Sequence, residues 1–172
     1  HITLGSRVHI GYFAQEHTEL HSHLTVLEEL MADYTMNEEQ ARSLLGRFLF
    51  RGDDVFTSVD SLSGGEQARL ALLKLLLSGP SFLILDEPTN HLDIPTREIL
   101  EDALLDFGGT YLIVSHDRYF LDKITTRTLS LENKQVKDFA GNYSYYKEKE
   151  AELLALQAEK EYFKNSVRED KK

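Results

Sequence analysis

No cysteine occurs in the 172 residues, which excludes a disulfide framework and a thiolate metal site and makes an intracellular compartment the simpler reading. No apolar run approaches the roughly 18 to 20 residues that span a bilayer. The opening HITLGSRVHIGYF has neither a basic n-region nor a cleavage pattern. A soluble chain without a legible targeting signal is the expectation. Cations are also scarce: 19 Lys and Arg face 29 Asp and Glu, a formal charge of -10. That balance opposes broad contact with a phosphate backbone, so any nucleic-acid partner must be met locally. What is present is ordinary globular material, 41% hydrophobic and 28% charged, enough for one sizeable core.

The segment Arg7 to Phe13 alternates and is β-rich, predicting a strand that ends at Ala14-Gln15. Apolar residues then recur at helical spacing from Thr25 to about Tyr34 and from Asn37 to about Phe50, with Thr25 and Asn37 placed as N-caps. Leu44, Leu45, Phe48 and Leu49 form the expected buried stripe of the second helix. After Arg51-Gly52-Asp53-Asp54 a third helix begins at Ser63-Gly64-Gly65, carries Leu70, Leu72, Leu73, Leu75, Leu76 and Leu77, and stops at Gly79-Pro80.

Phe82 to Leu85 and Tyr111 to Val114 are short, wholly apolar runs, read as central strands of a covered parallel sheet. Pro95 to Phe107 has the periodicity of the crossover helix between them, which brings the loops after both strands to one edge. Thr128 to Phe139 reads as a hairpin turning at Asn133-Lys134, with a helix as the other reading. The tail from Tyr145 to Lys172 lacks Gly and Pro and predicts a long exposed helix, either a solvated helix or a partner-facing arm, with Leu153, Leu156 and Phe163 along a narrow seam.

Four places carry chemistry. Leu62-Ser63-Gly64-Gly65-Glu66-Gln67 sets a hydroxyl and unobstructed amides at a helix start, where unpaired N–H groups and the dipole favour an anion; the same residues also suit a plain serine N-cap. Asp86-Glu87 follows a buried strand, where free carboxylates need a positive partner such as magnesium. Asp86 is expected to hold the ion through water, and Glu87 to orient or deprotonate the water attacking a γ-phosphate. Alone, an Asp-Glu-Pro serves equally as a turn cap. His116 follows the next strand and reaches the same edge as Glu87, from where it could donate to a γ-phosphate oxygen. Gln15, ending the first strand, could offer its amide oxygen to the metal or the water.

Taken in order, Gln15, LSGGEQ, FLILDEPTNHLD and SHD resemble the Q-loop, signature, Walker B, D-loop and switch histidine of ABC ATPases, over roughly residues 1–144. Within that superfamily, DEPTNHLDIPTREILEDAL, VSHDRYFLDKI and GNYSYY resemble the second nucleotide-binding domain of ABC-F proteins. The resemblance implies an α/β fold: a partial P-loop NTPase-like ABC ATPase domain with a parallel core sheet, flanking helices and a helical subdomain at about 24–78, followed by a charged helical extension at 145–172. It implies ATP and Mg2+ as ligands, with Glu87, His116 and Gln15 catalytic and Asp86 and Gln15 at the metal. It also places Ser63, Gly64, Gly65 and Glu66 against a nucleotide held by another domain, with Asp93 at the same interface.

The implied partners are the second ABC domain of the same parent chain and the ribosome, in a cytoplasmic protein without a membrane part, serving translation or antibiotic resistance. The ATP-binding subunit of an ABC membrane transporter is the alternative. One departure stands out. A phosphate loop needs Gly-x-x-x-x-Gly-Lys-Ser/Thr, and no glycine here is followed by lysine. Truncation before Gln15 is the expected reason, with an active parent, an inactive piece, part of the core left uncovered, and a tendency to self-associate.

Overall fold

The computed structural model describes residues 3–14, 20–90, 92–132 and 134–169, the side chains of Ala14 and of 161–169 excepted. They fall into two compact units, His1–His116 and Asp117–Lys172. In the first, strands β1 (Ile10–Ala14), β2 (Phe82–Asp86) and β3 (Thr110–Val114) pair in parallel in the order β1-β2-β3. The register sets Ala14 beside Asp86 and Asp86 beside Val114, so the three strands end level with one another.

Between β1 and β2 come helices α1 (Val26–Asp33), α2 (Glu38–Arg47) and α3 (Gly64–Leu77), with 3-10 turns at Gly52–Phe56 and Val59–Ser61. Helix α4 (Ile94–Leu105) crosses from β2 to β3. The local chemistry explains the starts. Thr25, Asn37 and Ser63 each accept from the backbone amide three residues on, and Glu28, Gln40 and Glu66 reach back to close capping boxes. Gly79, at φ 66°, ends α3 with a left-handed turn before Pro80.

Two expectations need correction. Helix α2 stops at Arg47 rather than near Phe50, because Leu49 takes φ 65° and the Phe50 and Leu49 amides fold back onto the carbonyls of Leu45 and Gly46 at 3.0 and 3.2 Å. The turn delivers Phe50 to the core beside buried Ala41, Leu45 and Phe48, and leaves Leu44 and Leu49 half-buried. The sheet, whose strands read as covered while part of the core is expected to stay open, is covered on one face only. Gly11, Phe13, Leu83 and Leu85 are buried there, and α3 lies so close that a Cβ on Gly11 would sit 2.8 Å from Leu75 Cδ1. On the other face Ile10, Tyr12, Leu112 and Val114 are exposed, because no described element packs over them.

A buried charge cluster ties the helices together. Glu29 on α1 is fully buried and pairs with Lys74 of α3. Its Oε2 also accepts from the His21 backbone amide at 3.2 Å and meets the His21 ring Nδ1 at 3.0 Å. Lys74 in turn meets Asp33 at 2.8 Å, and the Tyr34 hydroxyl donates to the Lys74 carbonyl at 2.6 Å. Burial pulls the Lys74 ammonium down, but Asp33 and Glu29 more than reverse this and leave it raised.

The second unit comprises α5 (Arg118–Ile124), the antiparallel pair β4 (Thr128–Glu132) and β5 (Gln135–Phe139), and α6 (Tyr143–Glu169). The hairpin reading holds over its described residues; Asn133 of the predicted turn lies outside them. Phe139 packs on Tyr146 of α6 with ring centroids 5.0 Å apart, and Asn142 caps α6 by accepting from the Tyr145 amide at 3.1 Å. The tail helix thus starts two residues before the composition changes. Leu153 and Leu156 of the expected seam are exposed, and the Phe163 side chain lies outside the described residues. Among the described residues no helix is long and apolar enough to cross a membrane.

Candidate functional site

The level strand ends set the first cluster. Glu87, immediately after β2, takes φ 45°, a left-handed conformation that strains a side-chain-bearing residue by about 1 kcal/mol or more. It is held there by its own amide, which donates to the Val114 carbonyl at 2.8 Å, and by the Asn90 amide donating to its carbonyl at 3.1 Å. The twist brings the carboxylate towards the end of β3. Oε2 accepts from the His116 backbone amide at 3.3 Å, and Oε1 lies 3.7 Å from His116 Nε2. The His116 ring is itself almost entirely solvated, with 99% of its side-chain surface exposed, and is therefore free to meet a ligand.

Asp86 is exposed at the mouth of the same strand, and no described residue pairs with its carboxylate. Among the described residues no group of three or more His, Asp or Glu side chains could hold a metal by itself. A lone open carboxylate fits magnesium, which keeps several waters and takes its remaining ligands from substrate phosphates. Gln15, the other expected ligand, lies outside the described residues.

The second cluster lies at the starts of α3 and α4. The Ser63 hydroxyl and amide both donate to Glu66 Oε2, at 2.6 and 2.8 Å, and these two bonds hold the Glu66 carboxyl below the usual carboxylate range. Glu66 thus orients Ser63, while Gly64 and Gly65 follow as the open first turn. Asp93 is the N-cap of α4 and accepts from the Thr96 amide at 2.9 Å. The Thr96 hydroxyl and amide, and then the charge of Arg69, hold its carboxyl low as well. The two helix starts touch: a Cβ on Gly65 would be 3.6 Å from both Asp93 Oδ2 and Thr96 Oγ1.

The structure therefore brings Glu87 to His116 and Gly65 to Asp93, and no described contact joins the first pair to the second. Sequence reasoning missed Arg69, a buried cation between α3 and α4 whose signal was a charge on the apolar face of a leucine-rich helix.

Comparison with known proteins decides the family. The ABC transporter family model matches residues 3–90. The chain belongs to that family. Its relatives include F-branch members: ABC transporter F family member 5 of Arabidopsis thaliana is 43% identical over 153 residues, which cover 88% of this ABC chain and 22% of that protein. The putative ATP-binding protein YdiF of Bacillus subtilis is 54% identical over 157 residues, 91% of this chain and 24% of YdiF. The energy-dependent translational throttle protein EttA of Escherichia coli K12 is 41% identical over 163 residues, 91% of this chain and 29% of EttA. This ABC chain thus spans about a quarter of the length of these relatives. Among solved structures, the dimeric post-hydrolysis state of the ATP-binding cassette MJ0796, bound to ADP and Pi, matches with a TM-score of 0.58 and 25% identity, over 78% of this chain and 63% of that one. The α/β fold with its parallel sheet is that of an ABC ATPase domain.

Proposed function

We propose that this chain supplies two half-sites of an ABC-F ATPase that acts in translation, each completed by residues outside the chain. The observation that carries the reading is Glu87: a carboxylate held in a strained conformation at the end of the central strand, turned towards His116 and next to the exposed Asp86, whose carboxylate pairs with no described residue. Backbone strain of this kind persists where neighbouring structure over-determines it, as functional sites do.

In this reading Glu87 orients the water that attacks the γ-phosphate and accepts its proton, and His116 donates to a γ-phosphate oxygen. Asp86 and Gln15 would hold magnesium, which supplies charge neutralisation on the phosphate oxygens when bound with ATP. Gly64 and Gly65 present first-turn amides to a second nucleotide across an interface, Ser63 turns its hydroxyl from Glu66 to the phosphate when that nucleotide arrives, and Asp93 lies beside them. The opposing surface is a second ABC domain of the same parent, as the dimeric arrangement of MJ0796 supports. Kinship with F-branch proteins and with a translational throttle favours the ribosome over a membrane subunit as the further partner, in the cytoplasm.

The missing Gly-Lys phosphate loop makes a direct test. Calorimetry with magnesium and ATP should find no binding tighter than about 1 mM for this chain and micromolar binding for the full-length protein. Micromolar binding by the chain itself would overturn the half-site reading.

A further inference from the structure

Arg69 takes no part in the hydrolysis described above, yet it is only 7% exposed and carries a full charge. Its guanidinium lies over the Phe50 ring at 5.5 Å. Nη1 donates to Thr96 Oγ1 at 3.3 Å and lies 4.0 Å from Asp93 Oδ2, while Nη2 lies 3.8 Å from Glu66 Oε1. Among the described residues its Nε has no hydrogen-bond partner. Burying a cation with one nitrogen unsatisfied is costly, and an apolar side chain of similar volume would fill the space between the helices without that penalty. What an apolar residue cannot do is grip both helix starts. Among the described residues, Arg69 meets Glu66 in the first turn of α3 and Asp93 and Thr96 at the start of α4, where Gly65 already faces Asp93 at close range. Only the arginine fork spans that set; a lysine ammonium is a single point.

We propose that Arg69 is a positioning residue that locks Asp93 and the first turn of α4 onto the first turn of α3. Ser63, Gly64, Gly65 and Asp93 then meet the partner's nucleotide as one rigid surface. This rests on the ATP half-site reading, and it adds a residue that touches no substrate. Misplacing that surface by a fraction of an ångström slows the chemical step and spares the initial binding of ATP, which a phosphate loop elsewhere provides.

The test uses the full-length protein with Arg69→Met, Arg69→Lys and Thr96→Val, read by steady-state hydrolysis and by hydrogen exchange. Arg69→Met lowers kcat about tenfold with KM for ATP changed less than about threefold; Arg69→Lys and Thr96→Val give about threefold losses of kcat. Amide exchange over residues 93–97 rises about tenfold in Arg69→Met while that of Phe82–Asp86 stays unchanged. Adding Asp93→Asn to Arg69→Met costs nothing beyond the larger single loss, because both act through one surface. Unchanged exchange over 93–97, or kcat losses that multiply with Asp93→Asn, overturns the proposal. Should Arg69→Met fail to fold, Arg69→Lys and Thr96→Val decide it by the same readings. A Glu87→Gln control that hydrolyses ATP at the wild-type rate would instead refute the catalytic reading, and the exchange pattern over 93–97 would still decide the lock.

Discussion

Replacing Lys74 by methionine removes the ammonium that both Glu29 and Asp33 use, and the two carboxylates respond differently. Asp33 is 46% exposed and is re-solvated at little cost. Glu29 has no exposed surface and, among the described residues, keeps only the His21 backbone amide and ring Nδ1 on one of its oxygens. Stranding a buried charge costs about 3 to 5 kcal/mol, and the surviving His21 contacts put Lys74→Met near about 3 kcal/mol. The opposite cut, Glu29→Gln, leaves Lys74 paired with Asp33 at 2.8 Å and should cost only about 1 kcal/mol. The double variant buries no unpaired charge, so it should be about 1 to 2 kcal/mol more stable than Lys74→Met alone. Urea midpoints at constant m-value measure all three. Equal losses in the two single variants, or a double variant less stable than Lys74→Met, would refute the argument that burial rather than the number of ion pairs sets the cost.

Two glycines separate steric from conformational cost. Gly11→Ala forces a Cβ to 2.8 Å from Leu75 Cδ1 and 2.9 Å from Leu83 Cδ2 and should destabilise by about 1 to 2 kcal/mol in urea unfolding. Gly79→Ala meets no atom within 4 Å but must hold φ 66°, so its loss should be about 1 kcal/mol from the backbone alone. Acid should loosen both helix starts: the Glu66 and Asp93 carboxyls are held low in the folded chain, so their contribution is present above the ordinary carboxylate range near about pH 4 and is lost as pH falls through their lowered values. Hydrogen exchange measured down to about pH 3 should show the first turns of α3 and α4 losing protection before β2 does.

Local chemistry was legible where it is decided locally. The Thr25, Asn37 and Ser63 caps, the Gly79-Pro80 stop and the two acids at the end of β2 are short-range patterns, and each lies where the residues place it. Tertiary constraints were not legible. Leu49 in a left-handed turn defies its own preference because burying Phe48 and Phe50 outweighs it, and Glu87 at φ 45° is fixed by the Val114 carbonyl on another strand. Helix α5, seven residues capped by Asp117, is too short for a periodicity to emerge. Whether the apolar strands were covered on one face or two depends on neighbours that hydropathy does not encode. Arg69 was passed over because a lone charge on a helix reads as solvated until its neighbours are known.

The measurement that tests the central claim most directly is single-turnover ATP hydrolysis by the full-length protein, wild type against Glu87→Gln. Glutamine keeps the size and the contact with the His116 amide but cannot take the proton, so the rate should fall about 100-fold with ATP binding retained. A rate within about twofold of wild type would contradict the role of Glu87 and, with it, the reading of the strand-end cluster as hydrolytic.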